Sequence, residues 1–199
     1  ISKAREVNLP KDKIELAIKK GTGELPGVSY EEVALEGYGP GGVAVLVQSL
    51  TDNKNRTAAE LRSIFTKHGG NVAGAGSVSW LFQKRGVITL KPKGRTEEQL
   101  MDLALESGAD DFKMEGDQAT VLTAPGAFEP VKQALQRAGL SWESADLMLM
   151  PSSTVRVDEP AQAKALLALL DALEDQEDSQ HVYANFDIPD ALLAAHAQA

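Results

Sequence analysis

The sequence predicts an α+β protein with more than one domain. Short apolar or alternating runs typical of strands are interspersed with amphipathic runs typical of helices, and glycine-rich turns separate them. Residues 87–149 follow the order β-α-β-β-α-β, which is the split unit of ferredoxin-like domains. We therefore expect a ferredoxin-like unit within a larger α+β protein.

The first residues predict a short helical segment. Pro10 suits a first helical turn, residues 1–20 carry one apolar stripe, and Gly21 is a natural stop. Residues 21–27 are typical of a linker. Since the chain starts at Ile1 and the helical pattern is already under way there, we expect further residues upstream in the natural protein.

Two strands are predicted next, over residues 30–36 and 43–50, joined by the turn at residues 37–42. The second strand is apolar on both faces, which predicts a central position in its sheet. Thr57 and Glu60 have the spacing of a capping box and predict the start of a helix that ends at Gly69-Gly70.

The rest of the chain predicts strands and helices in regular order. Alternating apolar residues indicate a strand over 78–82, and Lys84–Gly86 are predicted to turn the chain. The following elements are predicted as strand 87–91, helix 97–106 capped by Thr96, strands 111–115 and 119–123, helix 126–138, strand 140–149, strand 154–157, a helix from Pro160 to Leu173 with Asp158 as N-cap, and strand 181–186.

The last strands and helix lack a complete core of their own, so we expect them to pair with residues 30–82. This predicts a helical remnant at 1–23, a discontinuous α+β domain at 24–85 plus 151–199, and an inserted ferredoxin-like domain at 86–150.

Charge is distributed unevenly along the chain. Residues 52–95 hold nine Lys/Arg against two acids, a net of +7, whereas residues 96–199 hold five against twenty, a net of −15. Residues 1–20 add a net of +3. The basic part favours an anionic partner such as nucleic acid, despite the overall charge of −9.

Several kinds of site are disfavoured. With no cysteine, disulfides, zinc-thiolate sites and thiol nucleophiles are excluded. The run Gly37–Gly42 satisfies G-x-G-x-x-G, but a strand follows it where a nucleotide site needs a helix. The three histidines form no metal motif, and no apolar run is long enough to span a membrane. We predict no catalytic residue, metal, cofactor, small-molecule substrate or membrane partner.

The loop between a central strand and a helix N-terminus is the best candidate for a phosphate contact. Residues 52–57 place Lys54 and Arg56 where free backbone N–H groups and the helix dipole already favour anions, although a simple capped loop explains them equally well. The predicted nucleic-acid-binding residues are Lys54, Asn55, Arg56, Arg62, Lys84, Arg85, Lys11, Lys19 and Lys20. Trp80, Tyr38 and Phe82 can stack on bases, but aromatics at strand spacing are more often core.

Several co-linear motifs resemble the YebC family, which includes the mitochondrial translational activator of cytochrome c oxidase. They are Gly37-Tyr38-Gly39-Pro40-Gly41-Gly42-Val43-Ala44, Thr51-Asp52-Asn53-Lys54-Asn55-Arg56-Thr57, Lys67-His68-Gly69-Gly70, and Gly76-Ser77-Val78-Ser79-Trp80-Leu81-Phe82 followed by Lys84 and Gly86. The resemblance implies a YebC-like three-domain architecture, cytoplasmic residence and a non-enzymatic transcriptional regulator, with DNA binding shown for some members. Other members look like ribosome-associated translation factors that relieve stalling at proline-rich stretches.

Two functions therefore stay open at this point. The first is a DNA-binding regulator of gene expression, although no recognition helix rich in Arg, Asn and Gln stands out. The second is a partner of the ribosome that contacts ribosomal or transfer RNA through the basic segment. A small-molecule sensor or an enzyme has only fold analogy in its favour.

Overall fold

The computed structural model describes residues 29–197 and, before them, Lys11, Glu15, Ile18 and Lys19, with side chains described as far as residue 194. These four earlier residues are helical. The remainder of the predicted helix at 1–20, the linker at 21–27 and the remnant domain at 1–23 lie outside the described residues.

The fold is mixed α+β, as predicted. In chain order the elements are β1 (Glu31–Tyr38), β2 (Ala44–Thr51), α1 (Lys54–Lys67), β3 (Asn71–Val72), β4 (Phe82–Leu90), α2 (Glu97–Glu106), β5 (Asp111–Glu115), β6 (Gln118–Thr123), α3 (Phe128–Arg137), β7 (Trp142–Pro151), β8 (Val155–Arg156), α4 (Pro160–Glu174), β9 (Ser179–Ala184), β10 (Phe186–Asp187) and α5 (Asp190–Ala197). Single 3-10 turns lie at Pro40–Gly42 and Ser79–Leu81.

The chain divides into two compact units. Among the described residues, one unit combines those up to Trp80 with those from Ser153 onward, and the other unit is Leu81–Ser152. Each contains a four-stranded sheet in which every pair of neighbouring strands is antiparallel.

The sheet of the first unit has the order β3-β1-β2-β9. The prediction that β2 is central is confirmed, because it pairs with β1 on one side and β9 on the other. The turn that precedes β2 is a 3-10 turn in which Gly41 and Gly42 have φ of 76° and 77°. Glycine adopts this left-handed conformation without the steric cost that a Cβ imposes, so the run serves the turn, as expected.

The core of the first unit forms where α1 and α4 pack on the sheet. Its buried side chains are Leu35, Val43, Val45, Val47, Leu61, Phe65, Val157, Ala163, Leu166, Leu169, Leu170, Leu173 and Ile188. They come from both ends of the chain. The apolar stripe of α4 is therefore buried largely against residues that lie far before it in the sequence, on β1, β2 and α1.

The second unit has the sheet order β5-β6-β4-β7, with α2 and α3 contributing to its separate core. The order β-α-β-β-α-β predicted over this part of the chain is present. Helix α2 begins as predicted: the Thr96 hydroxyl accepts from the N–H of Gln99, and the Gln99 side chain accepts from the N–H of Thr96.

The predicted start of α1 is wrong. The helix begins at Lys54, and its N-cap is Asn53, whose side-chain oxygen accepts a hydrogen bond from the N–H of Arg56 at 3.1 Å. Thr57 lies inside the first turn, where its hydroxyl is buried among other polar groups. A similar correction applies to α4, whose N-cap is Glu159; the carboxylate of Asp158 bonds Arg156 instead.

The predicted turn at Lys84–Gly86 is also wrong. These residues lie inside the continuous strand β4, whereas the chain bends earlier, at Ser79–Leu81. Gly86 serves close packing: an added Cβ would lie 2.3 Å from Thr123 Oγ1 and 2.4 Å from Phe128 Cδ2. A glycine inside a strand often marks a place where neighbouring atoms pack too closely for a side chain. In the sequence alone, the same glycine after two basic residues looks like a turn.

Candidate nucleic-acid interface

A network of polar side chains joins the start of α1 to the loop before β9. The Thr57 hydroxyl lies 2.6 Å from Asp178 Oδ2 and 2.8 Å from the Thr51 hydroxyl. The Thr51 hydroxyl also accepts from the N–H of Asn53 at 2.9 Å. These contacts tie the end of β2, the first turn of α1 and a residue 121 positions after Thr57 into one cluster.

Arg56 belongs to the same cluster. Its guanidinium donates to Asp52 at 2.9 Å and to Asp178 at 3.3 Å. The hydrogen bond from Thr57 holds the pKa of the Asp178 carboxyl below its usual range, against the opposing effect of burial, and Thr51 and Arg56 lower it further. The charge of Arg56 is therefore shared between two carboxylates within the protein.

Lys54, the other cation of the predicted phosphate loop, is ion-paired with Glu31 on β1. Both partners are about half exposed, so the pair is open to solvent. A phosphate that bound this helix end would have to displace carboxylates from both predicted contacts. The main observed role of the loop at residues 52–57 is therefore structural: its charged side chains link α1 to β1 and to the loop before β9.

The outward face of α1, defined here as Asn55, Ala59, Arg62 and Thr66, is exposed along its length. These residues recur three or four apart, so they line one side of the helix. The face contains no acid, and its one cation, Arg62, has no carboxylate partner among the described residues.

Lys67 lies near the other flank of the same helix. It shares a shallow surface depression with two acids, Glu60 and Asp175. Since Lys54 and Arg56 are ion-paired, Arg62 is the predicted cation of α1 whose charge is least compensated by the described residues.

The predicted residues Lys84 and Arg85 lie on β4, in the second unit. Arg85 donates to Asp110 at 2.6 Å and to Gln83 at 3.3 Å, whereas Lys84 is exposed and makes no ion pair with a described residue. The nearby Lys91 is paired with Glu143 at 3.2 Å. Within this unit, Lys84 is the predicted contact left free for a ligand.

The remaining predicted contacts belong to the N-terminal segment. Lys11 and Lys19 are exposed on helix, and Lys11 pairs with Glu15 at 3.6 Å. Lys20 lies outside the described residues.

The loop at residues 74–79 is held by a buried acid that the sequence did not single out. The carboxylate of Glu36, buried on β1, accepts hydrogen bonds from the backbone N–H groups of Gly76, Val78 and Ser79 at 2.7, 2.6 and 2.9 Å. Burial acts to raise the pKa of Glu36, but these backbone hydrogen bonds outweigh it and hold the pKa below its usual value. The signal available in sequence was an acid inside an apolar strand.

Trp80 follows directly on this loop. The prediction of a strand residue here is wrong: Trp80 lies in the 3-10 turn and its residue surface is 69% exposed, whereas Phe82 is buried, at 7%. The indole N–H donates to the carbonyl of Ser77 at 3.0 Å, and the Tyr38 hydroxyl donates to the same oxygen at 3.3 Å. Of the three aromatics considered as base-stacking residues, Trp80 is the one that solvent reaches most fully.

In the part of the chain that the structure describes, no three His, Asp or Glu side chains group as metal ligands. No described helix is long and apolar enough to cross a membrane.

Comparison with known proteins gives one consistent result. The family model described as the second and third domain of TACO1/YebC matches residues 30–186. A probable transcriptional regulatory protein of Syntrophus aciditrophicus is 52% identical over 191 residues, covering 96% of this chain and 76% of the relative. A relative of the same description from Geobacter sulfurreducens is 55% identical over 188 residues, covering 94% and 75%.

Structural comparison agrees. The crystal structure of a conserved hypothetical protein from Aquifex aeolicus is similar with a TM-score of 0.81 and 45% sequence identity, covering 94% of this chain and 77% of that one. Because the family model matches most of the chain and the relatives are about half identical to it, the chain belongs to the TACO1/YebC family.

Proposed function

We propose that this protein is a non-enzymatic regulator of gene expression that binds duplex DNA in the cytoplasm, with the outward face of α1 as a principal contact. The observation that carries the proposal is Arg62: an exposed guanidinium with no described carboxylate partner, on a helix face free of acids. The description of the relatives as probable transcriptional regulatory proteins supports the same reading.

The contact is expected to be electrostatic rather than base-specific. Cationic side chains that neutralise phosphates release condensed counterions, which makes affinity fall steeply with salt. Around Arg62, the face offers small or uncharged side chains in Asn55, Ala59 and Thr66. These allow close approach to a phosphate backbone but supply few of the bidentate donors that read base edges.

Lys84 is the second proposed contact, contributed by the other unit. The cations at Lys54, Arg56 and Arg85 have secondary roles in this proposal, because each is engaged by a carboxylate within its own unit. They contribute to the local electrostatic potential, and they contact a phosphate only by giving up their carboxylate partners.

The test measures binding to random and promoter-derived duplexes by fluorescence anisotropy across a salt series. We expect Arg62→Ala and Lys84→Ala each to weaken binding several-fold and to lower the salt slope by about one. Arg62→Lys should retain most of the affinity. Arg137→Ala is the matched control, because Arg137 is an exposed helical cation outside the basic segment.

Loss of affinity equal in Arg137→Ala and Arg62→Ala would overturn the assigned face. Co-sedimentation with ribosomes is measured in parallel with the same variants. Tight, salt-sensitive ribosome binding combined with weak and sequence-blind DNA binding would overturn the DNA-binding proposal in favour of the translational alternative.

A further inference from the structure

The most exposed large apolar side chain in the described residues is Trp80. At 69% exposure it exceeds Leu105, Leu147, Ile18 and Met101, which range from 46% to 38%. Burying an indole stabilises a fold substantially, so an exposed one forgoes that stabilisation.

The ring is held in place although it is exposed. Its N–H donates to the Ser77 carbonyl, which also accepts from Tyr38. With the only polar atom of the side chain occupied within the loop, what the indole presents to a ligand is its aromatic surface. A side chain ordered in advance also loses less conformational entropy on binding.

The loop behind Trp80 is equally well fixed. Glu36 accepts from three of its backbone N–H groups, the last of them on Ser79, the residue next to Trp80. A buried carboxylate that is fully hydrogen-bonded holds backbone tightly, because loss of any one donor leaves a charge poorly solvated.

The surroundings of Trp80 favour a flat ligand over an apolar protein surface. The preceding loop residues are small: Gly74, Ala75, Gly76 and Ser77. A Cβ added at Gly76 would meet nothing within 4 Å, so the backbone is open on that side. Protein-binding hot-spot tryptophans are normally ringed by further contacts, whereas stacking platforms for bases need only an accessible aromatic face.

We propose that Trp80, presented by the Glu36-anchored loop, is a stacking platform for an unpaired nucleobase. The inference rests on the proposed nucleic-acid binding and adds single-stranded nucleic acid to the ligands. Duplex contact through Arg62 recognises phosphates; Trp80 recognises a base that is not already stacked in a helix. Such a contact is tolerant of sequence, because every base has an aromatic face.

The experiment uses the two tryptophans of the chain. In a Trp142→Phe background the emission reports on Trp80 alone, and the protein is titrated with an oligothymidylate of about 12 nucleotides, within the range of known single-strand sites. The matched ligand is an abasic oligomer of equal length and charge. We expect quenching by the first and none by the second.

Affinity is measured separately by anisotropy in the otherwise native chain. Trp80→Ala should bind the oligothymidylate about 10-fold more weakly, Trp80→Phe should fall between, and affinity for the abasic oligomer should be unchanged. Equal binding of both oligomers without quenching, or duplex binding with no single-strand binding, would overturn the stacking role and leave the proposed function standing. Absence of all nucleic-acid binding would overturn both.

Discussion

Glu36 shows how much one residue can determine. Its carboxylate is buried and satisfies three backbone donors of the loop that precedes Trp80. No local sequence rule assigns an acid on a strand to a loop forty residues later. The pairing exists because the end of β1 and this loop come together in the folded unit.

We expect Glu36→Gln to destabilise the protein by about 1–3 kcal/mol, because the amide nitrogen cannot accept and leaves a buried N–H unpaired. Urea unfolding of the two proteins at neutral pH measures the difference. Glu32→Gln is the matched control, since Glu32 lies on the same strand but is exposed, and it should change the free energy of unfolding little.

The same substitution predicts a pH dependence. The folded-state pKa of Glu36 lies below its unfolded value, so the unfolded chain takes up the proton first as the pH falls. The stabilisation is fully present above the unfolded pKa, near 4.3 for an ordinary glutamate, and is lost as the pH falls through the folded pKa. The stability gap between wild type and Glu36→Gln should therefore shrink below about pH 4.5. A gap that stayed constant down to pH 3 would contradict this assignment.

At the scale of elements, α1 and β4 differ most from what sequence predicts. The start of α1 is decided by the N-cap Asn53 and by the polar cluster around Asp178. Asp178 is too far away in sequence for local residue spacing to predict this contact. The strand β4 runs through Lys84–Gly86 because β7 pairs with it along this whole stretch, and β6 joins the pairing from Gly86 onward. In each case a long-range partner overrides a plausible local signal.

Gly86 provides the element-scale prediction. Gly86→Ala should destabilise the protein by about 1–3 kcal/mol, because its Cβ would overlap Thr123 and Phe128 where β4, β6 and α3 pack closely. Gly126→Ala is the matched control in the same unit, since a Cβ there meets nothing within 4 Å. Chemical denaturation of both variants measures the effect. Equal stability of the two variants would show that this packing can relax.

At the scale of the whole molecule, the unit Leu81–Ser152 lies in sequence between the two stretches of chain that form the first unit. The N–H of Ser152 donates to the carbonyl of Leu81 at 2.7 Å, so the unit Leu81–Ser152 begins and ends at adjacent points. It also has a core separate from that of the first unit. Units with neighbouring termini and their own core are those that tolerate insertion into, or excision from, another domain.

We therefore expect residues 81–152 to fold when expressed alone. The fragment should give one cooperative urea transition and dispersed amide resonances, and Val121→Ala should lower its midpoint because Val121 is buried in its core. A fragment with no cooperative transition would show that this unit depends on the rest of the chain.

By itself, the sequence determined the α+β class, the order of most elements, the capping of α2, the family and the concentration of basic residues before residue 96. These follow from local periodicity, turn chemistry and composition, all of which depend on residues close together in sequence. Only the tertiary structure decided which cations are already paired, that Gly86 is a packing glycine, and that Glu36 holds the loop presenting Trp80. The physical reason is that ion pairing, burial and close packing depend on residues that are distant in sequence. Local sequence patterns do not show which distant residues meet in the fold.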